Sequence, residues 1–116
     1  MKIELIFDKN ELYRRILDDW IKEDNSLTSA AFSNTSKTND MSVNLARLTT
    51  PEKTISEYPN CGLASFLAGS ARKLDQQVLH EPIPDNIAHS TVRGEKTRSI
   101  RKKLANGSTV ILSPSK

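Results

Sequence analysis

Leu12, Tyr13, Ile16, Leu17, Trp20 and Ile21 recur at spacings of three and four, and no other pattern in the chain restricts its fold so strongly. On an α-helix these positions form a single apolar stripe. Asp8-x-x-Glu11, just ahead of it, fits a capping box. Arg14, Arg15, Asp18, Asp19 and Lys22 fall on the opposite side, where Arg14–Asp18 and Arg15–Asp19 stand at i,i+4 for ion pairing. The spacing therefore predicts a helix starting at Asp8, with Trp20 in the core. Residues 2–7, before it, read as a short strand with Ile3, Leu5 and Phe7 on one face.

Beyond this stripe the pattern breaks into short pieces. Residues 23–41 are rich in Ser, Thr, Asn and Asp, which compete for backbone hydrogen bonds and favour loops. This long polar loop is expected to be functional or mobile, with Ala30-Ala31-Phe32 as its one apolar anchor. Residues 42–48 alternate weakly and predict a strand. Thr50-Pro51-Glu52 starts a short helix with a hydroxyl cap, a proline at the first helical position and an acid in the first turn. That helix ends near Tyr58-Pro59, because proline disfavours helix in the residue before it. Residues 63–68 fit a buried strand or a longer helix; the strand 63–67 followed by a helix over 69–76 is the better fit. Strands follow at 77–80, 87–92 and 109–112. A helix over 96–105, with Ile100 and Leu104 inward, is expected to stop at Asn106-Gly107 in a left-handed conformation. Residues 113–116 are expected to fray. The order from Gly62 onward predicts an α+β single domain, residues 1–116, with a small mixed β-sheet and helices packed mainly on one face.

Length and composition narrow the functional classes. A chain of 116 residues holds one core. Six residues in all are Phe, Trp or Tyr, which disfavours a base-stacking platform for single strands. No apolar run approaches the ~20 residues of a membrane span. The N-terminal residues include Glu4 and Asp8, where a signal peptide needs an uncharged apolar stretch. Cys61 is the one cysteine and has no intramolecular partner. Together these predict a cytoplasmic protein in a reducing compartment.

The net charge of +3 is unevenly spread. From residue 93 onward, Arg93, Lys96, Arg98, Arg101, Lys102, Lys103 and Lys116 face a single acid, Glu95. Guanidinium and ammonium groups arrayed on one helix suit phosphates, with affinity growing by counterion release. A plainer account makes them a solvated helix face with cations near the C-terminus, as the helix dipole favours. Gly94-Glu95-Lys96-Thr97 resembles the end of a phosphate loop but lacks its earlier glycine, so no nucleotide cofactor is expected.

Both histidines lie just upstream, in His80-Glu81-Pro82-Ile83-Pro84-Asp85-Asn86-Ile87-Ala88-His89. His80, Glu81, Asp85 and His89 have the atoms for an acid–base pair. Their spacing matches no standard zinc pattern, and no metal is expected. The plainer account has both histidines at strand ends, satisfied by backbone hydrogen bonds.

Tyr13-Arg14-Arg15, Phe32, Met41–Asn44, Thr50-Pro51-Glu52, Ala71-Arg72, Val78–Pro82, Asn86–His89 and the Gly94–Lys96 turn resemble a group of short uncharacterised bacterial proteins. The resemblance implies no activity. Three functions stay open on the residues: a module binding nucleic acid or an acidic protein surface through 93–103, a small enzyme using His80 or His89 with Glu81 or Asp85, and a protein-interaction scaffold.

Overall fold

A computed structural model describes residues 2–34 and 38–114. Its six strands are β1 (Glu11–Ile16), β2 (Asp40–Leu45), β3 (Gly62–Leu67), β4 (Gln77–His80), β5 (His89–Arg93) and β6 (Thr109–Leu112). They form one sheet in the order β4-β5-β2-β1-β3-β6. Three helices intervene: α1 (Pro51–Ile55), α2 (Ala68–Arg72) and α3 (Arg98–Asn106). The α+β class expected from the sequence holds. Every pairing between these strands is antiparallel, however, where a mixed sheet was expected.

The largest departure from the sequence pattern lies at its strongest signal. Residues 11–16 form β1, a central strand, and not the start of a helix. Their inward positions are Leu12, Arg14 and Ile16, all buried. A period of two was hidden because its middle member is an arginine. The predicted Arg14–Asp18 and Arg15–Asp19 pairs do not form. Instead the Arg14 guanidinium donates from Nε to the Ala31 carbonyl at 3.0 Å, from Nη1 to Ser42 at 2.9 Å and from Nη2 to Ser33 at 3.2 Å. The chain leaves β1 through a 3-10 turn at Asp18–Trp20, and Trp20 packs half-buried against the core.

Two further expectations change nearby. Residues 2–7 form no strand, and Ile3, Leu5 and Phe7 are exposed while Ile6 turns inward. Side chains hold this segment from the protein side: Arg47 donates to the Leu5 carbonyl and Arg72 to that of Ile6. The polar loop is tied down where its apolar patch predicted. Ser29–Phe32 form a 3-10 turn with Ala31 and Phe32 buried, and the Phe32 ring meets Phe66 edge-on at 5.6 Å. Residues 35–37 of that loop, and 115–116 of the expected tail, lie outside the described residues; Pro114 of the tail is buried.

The other elements start within about two residues of where their local signals put them, but α1 and α2 end sooner than expected, at Ile55 and Arg72, and residues 46–48 form a 3-10 turn where the strand was expected to continue. Thr50 caps α1 by accepting from the Lys53 N–H at 3.1 Å, and Thr97 caps α3 by accepting from Ile100 at 3.2 Å. Gly107 ends α3 with a φ of −88°, not in the left-handed conformation expected there.

Register sorts the sheet into two faces. Leu12, Arg14, Met41, Val43, Leu45, Ala64, Phe66, Val78, His80, Ser90 and Val92 share one face, and all are buried. The Ser29–Phe32 turn, α2 and α3 cover it through Ala31, Phe32, Ala68, Ala71, Leu104 and Ala105. Burying one Leu, Ile or Phe contributes about 1.5–3 kcal/mol, so this layer supplies most of the stabilisation. The other face carries Tyr13, Arg15, Ser42, Asn44, Ser65, Thr91, His89 and Arg93 and is largely polar. α1 sits against it where Arg15 and Asn44 reach Thr54. Among the described residues no helix is long and apolar enough to cross a membrane.

Replacing Arg14 by Met keeps side-chain length but leaves the carbonyls of Ala31, Ser33 and Ser42 without these donors. A loss of about 3 kcal/mol or more is expected, since hydrogen bonds to charged groups contribute about 1.5–3 kcal/mol and unpaired buried acceptors add their desolvation cost. Urea unfolding monitored by Trp20 fluorescence measures it; a midpoint unchanged from the parent protein contradicts it.

Candidate functional site

The β4–β5 hairpin holds all four acid–base candidates, and its turn explains where each one goes. Ile83 and Asn86 exchange backbone hydrogen bonds at 3.1 and 2.9 Å, closing a tight turn over Pro84 and Asp85. Proline at the second turn position presets the backbone for this. Asp85 is therefore exposed at the turn's tip.

The hairpin register then separates the histidines. His80 pairs with Ser90, so His80 and the adjacent His89 project to opposite faces of the sheet. His80 is buried on the core face. Its Nδ1 accepts from the Glu4 N–H at 2.7 Å and its Nε2 donates to the Ile87 carbonyl at 2.7 Å. Only the neutral ring with its proton on Nε2 makes both bonds. His89 stands on the polar face, where its Nδ1 donates to the Glu81 carbonyl at 2.8 Å. The Glu81 carboxylate turns elsewhere and accepts from Arg93 at 3.1 Å. The structure thus brings His89 and Asp85 to the same groove and withdraws His80 and Glu81 from it. Among the described residues no group of three His, Cys, Asp or Glu side chains is placed to hold a metal ion.

The basic candidates divide in the same way. Arg93 forks onto Asp40, its cross-strand partner, with bonds of 2.7 and 3.2 Å, and its Nη2 also reaches Glu81. The Arg93 hydrogen bond holds the Asp40 carboxyl below its usual range, and the Asp40 bond raises the Arg93 pKa in return.

Lys96 precedes α3 instead of lying on it, and it points inward. Its ammonium donates to the carbonyls of Val92 at 2.9 Å, Gly94 at 3.0 Å and Asn39 at 3.2 Å. Gly94 makes this loop possible. Its φ is 154°, and a Cβ there would press to 2.8 Å against the carboxamide of Gln76, which itself bonds the Glu95 carbonyl. Burial pushes the Lys96 ammonium down to about 8; the Asp40 charge pulls the other way, and the Arg14 charge adds to the depression.

Four basic residues remain on α3 itself. Arg101 is half-buried and turned toward the polar loop, with Nη1 3.5 Å from the Ser33 hydroxyl. Arg98, Lys102 and Lys103 are exposed. Arg98 and Lys102 stand one turn apart and line an open groove of about 570 Å³ between α3 and residues 22–29. Lys22 faces them from the far wall, and the rest of the lining is Leu27, Thr28, Ser29, Ser99 and Asn106. It includes no carboxylate. Lys22 was read as a polar-face residue of the first helix; it joins the groove because β1 ends at Ile16 and the chain turns back at Ile21↔Leu27.

A second groove, of about 670 Å³, lies on the other face. Its floor includes Arg15, Asn44 and His89, and its walls are α1 with residues 56–58 and the hairpin turn. Asn86 donates to the Asn44 side-chain oxygen at 2.8 Å, and Asn44 reaches the Thr54 hydroxyl at 3.4 Å. Arg15, Asn44, Tyr58 and Asn86 were not singled out from sequence, since lone Asn and Tyr side chains carry no motif and Arg15 was placed on a solvated helix face.

No family model, curated protein or solved structure matches the chain.

The buried ammonium makes stability depend on pH in a definite direction. An unfolded Lys titrates near ~10.4, whereas Lys96 in the fold releases its proton near 8. Between these values the unfolded chain binds the additional proton, so unfolding free energy rises as pH increases from about 8 to 10. Urea titrations across that window should show the rise in the parent protein and its loss in Lys96→Met. A Lys96 titration by NMR at its ordinary midpoint contradicts the assignment.

Proposed function

We propose that the protein binds a polyanion, with nucleic acid the intended class, through the groove between α3 and residues 22–29. One observation carries this reading. Lys22, Arg98 and Lys102 line a single open concavity without a carboxylate, and none of the three has an ion-pair partner among the described residues. A merely solvated helix face would scatter its cations over a convex surface. Here a second element contributes a cation to the opposite wall.

The binding surface is narrower than the whole segment 93–103. Arg93 is consumed by Asp40 and Glu81, and Lys96 by backbone carbonyls. Lys103 extends the positive field beyond the groove, and Arg101 ties α3 to the polar loop. Phosphate contacts of this kind supply affinity and position without reading base sequence. Hydroxyls of Ser29 and Ser99 in the same lining add neutral donors for phosphate oxygens. The lone Cys61 suits a reducing cytosol, where such polyanions are abundant.

Fluorescence anisotropy with a labelled duplex and a labelled single strand tests this reading. Binding should weaken steeply with salt, and each of Lys22→Ala, Arg98→Ala and Lys102→Ala should flatten the slope of log K against log salt by about 0.7–0.9. Arg93→Ala should leave that slope unchanged. Absence of binding to either probe at about 50 mM salt, where non-specific contacts are strong, defeats the proposal.

A further inference from the structure

We propose that the groove on the polar face of the sheet is a separate site for a small organic oxyanion, a carboxylate or a phosphate monoester, received by the free edge of the Arg15 guanidinium. The argument rests on how Arg15 is held. Its Nη1 donates to the Thr54 carbonyl at 3.0 Å, and its Cζ stacks 4.0 Å over the Tyr58 ring. These two contacts hold the guanidinium over the ring and engage its Nη1 nitrogen. The Nε–Nη2 edge has no partner among the described residues. In this same protein, Arg93 uses that edge to grip both oxygens of Asp40. Arg15 presents the same fork with no carboxylate on it, at the floor of a groove large enough for a small molecule.

The surroundings are also fixed. The Asn86–Asn44–Thr54 chain ties the hairpin turn, β2 and α1 together, so both walls are positioned relative to Arg15. Stacking and prior orientation lower the ordering cost that an arginine normally meets on binding. Lys53 lines the groove beside Arg15, but so do Glu57 and Asp85. Those two acids make the groove unsuited to a polyanion, which favours the cationic groove across the sheet. A compact monoanion with an apolar body fits better, since Ile83, Ile87 and Leu48 line the same space.

Benzoate and phenyl phosphate share one apolar body and differ in the oxyanion, so they serve as the two probes. Each is titrated into ¹⁵N-labelled protein at constant ionic strength, with chloride as the control. Saturable shifts of the Arg15 Nε–H and the Asn86 side-chain amide are expected with at least one probe, and the stronger binder identifies the oxyanion. Arg15→Lys keeps the charge but not the fork and should weaken binding at least tenfold. Tyr58→Leu, at an exposed position, should weaken it several-fold and remains informative if Arg15→Lys fails to fold. Lys102→Ala should have no effect, which separates this site from the polyanion groove. Shifts no different from those of chloride, equal affinity in Arg15→Lys, or shifts centred on Arg98 and Lys102 would overturn the proposal.

Discussion

A charged side chain inside the core, Arg14, decides how the centre of this fold is built. It lies on the apolar face of the central strand with no ion-pair partner among the described residues. Removing a charge from water is costly unless hydrogen bonds replace the lost hydration. Three backbone carbonyls do so, two from the polar loop and one from β2. Burial still pushes the Arg14 pKa down to about 10, with the nearby Arg15 charge adding to the depression, so the group stays charged at neutral pH. Its geometry explains why arginine serves here. Five donors in a planar fork reach acceptors in three directions, which one ammonium on a flexible stem does less well. The β1–β2 ladder runs through Leu12↔Leu45 and Tyr13↔Asn44, and past it the guanidinium itself bridges the strands by bonding Ser42. The polar loop is held to the sheet by the same group.

That one residue also accounts for the main misreading of the sequence. With Arg14 counted as a surface residue, Leu12, Ile16 and Trp20 follow a helical period. With Arg14 counted as buried, Leu12, Arg14 and Ile16 follow the period of a strand. Local pattern cannot choose between these, because the choice depends on carbonyls that residues 31, 33 and 42 bring from elsewhere. Where local chemistry is self-sufficient the sequence was legible. Thr50-Pro51 caps its helix by its own hydroxyl, and short apolar runs at 77–80 and 109–112 pair as strands. Residues 2–7 fail in the reverse sense. They alternate like a strand, yet no free sheet edge receives them, and side chains of Arg47 and Arg72 take their carbonyls.

The candidate sites show the same division. Acids and bases close in sequence suggested a catalytic pair, but the period of two in β4 and β5 carries His80 and His89 to opposite faces. Lys96 looked like part of a basic helix, and three carbonyls draw it inward. Charge asymmetry near the C-terminus was readable; which of those charges stay free was not, because Asp40 comes from β2 and Glu81 from the residue after β4. Lys22 and Arg15 could be assigned only after β1 was known to be a strand.

The sheet itself then separates the two proposed anion sites. Its apolar face is thickened by α2, α3 and the Ser29–Phe32 turn, so the cations of α3 stand outside that layer, while Arg15 lies on the opposite surface. Exposed charges separated by more than about 8–10 Å are largely screened at physiological salt, so the two grooves have no need to share a ligand. Their chemistry differs as well. In the proposed polyanion groove, Lys22, Arg98 and Lys102 would attract by field, which salt weakens and which discriminates little among polyanions. Arg15 is held by a carbonyl and an aromatic ring, and the proposed site would select by the shape of its fork. A packed carboxylate or phosphate on such a fork is bonded through directed contacts and loses less to salt than a ligand held by field alone. The same guanidinium chemistry thus takes three forms in one small sheet: sealed among carbonyls at Arg14, saturated by two carboxylates at Arg93, and at Arg15 held at one nitrogen with its Nε–Nη2 edge unpartnered among the described residues. What each arginine does is set by the strand position it occupies and by which acceptors the neighbouring elements place there.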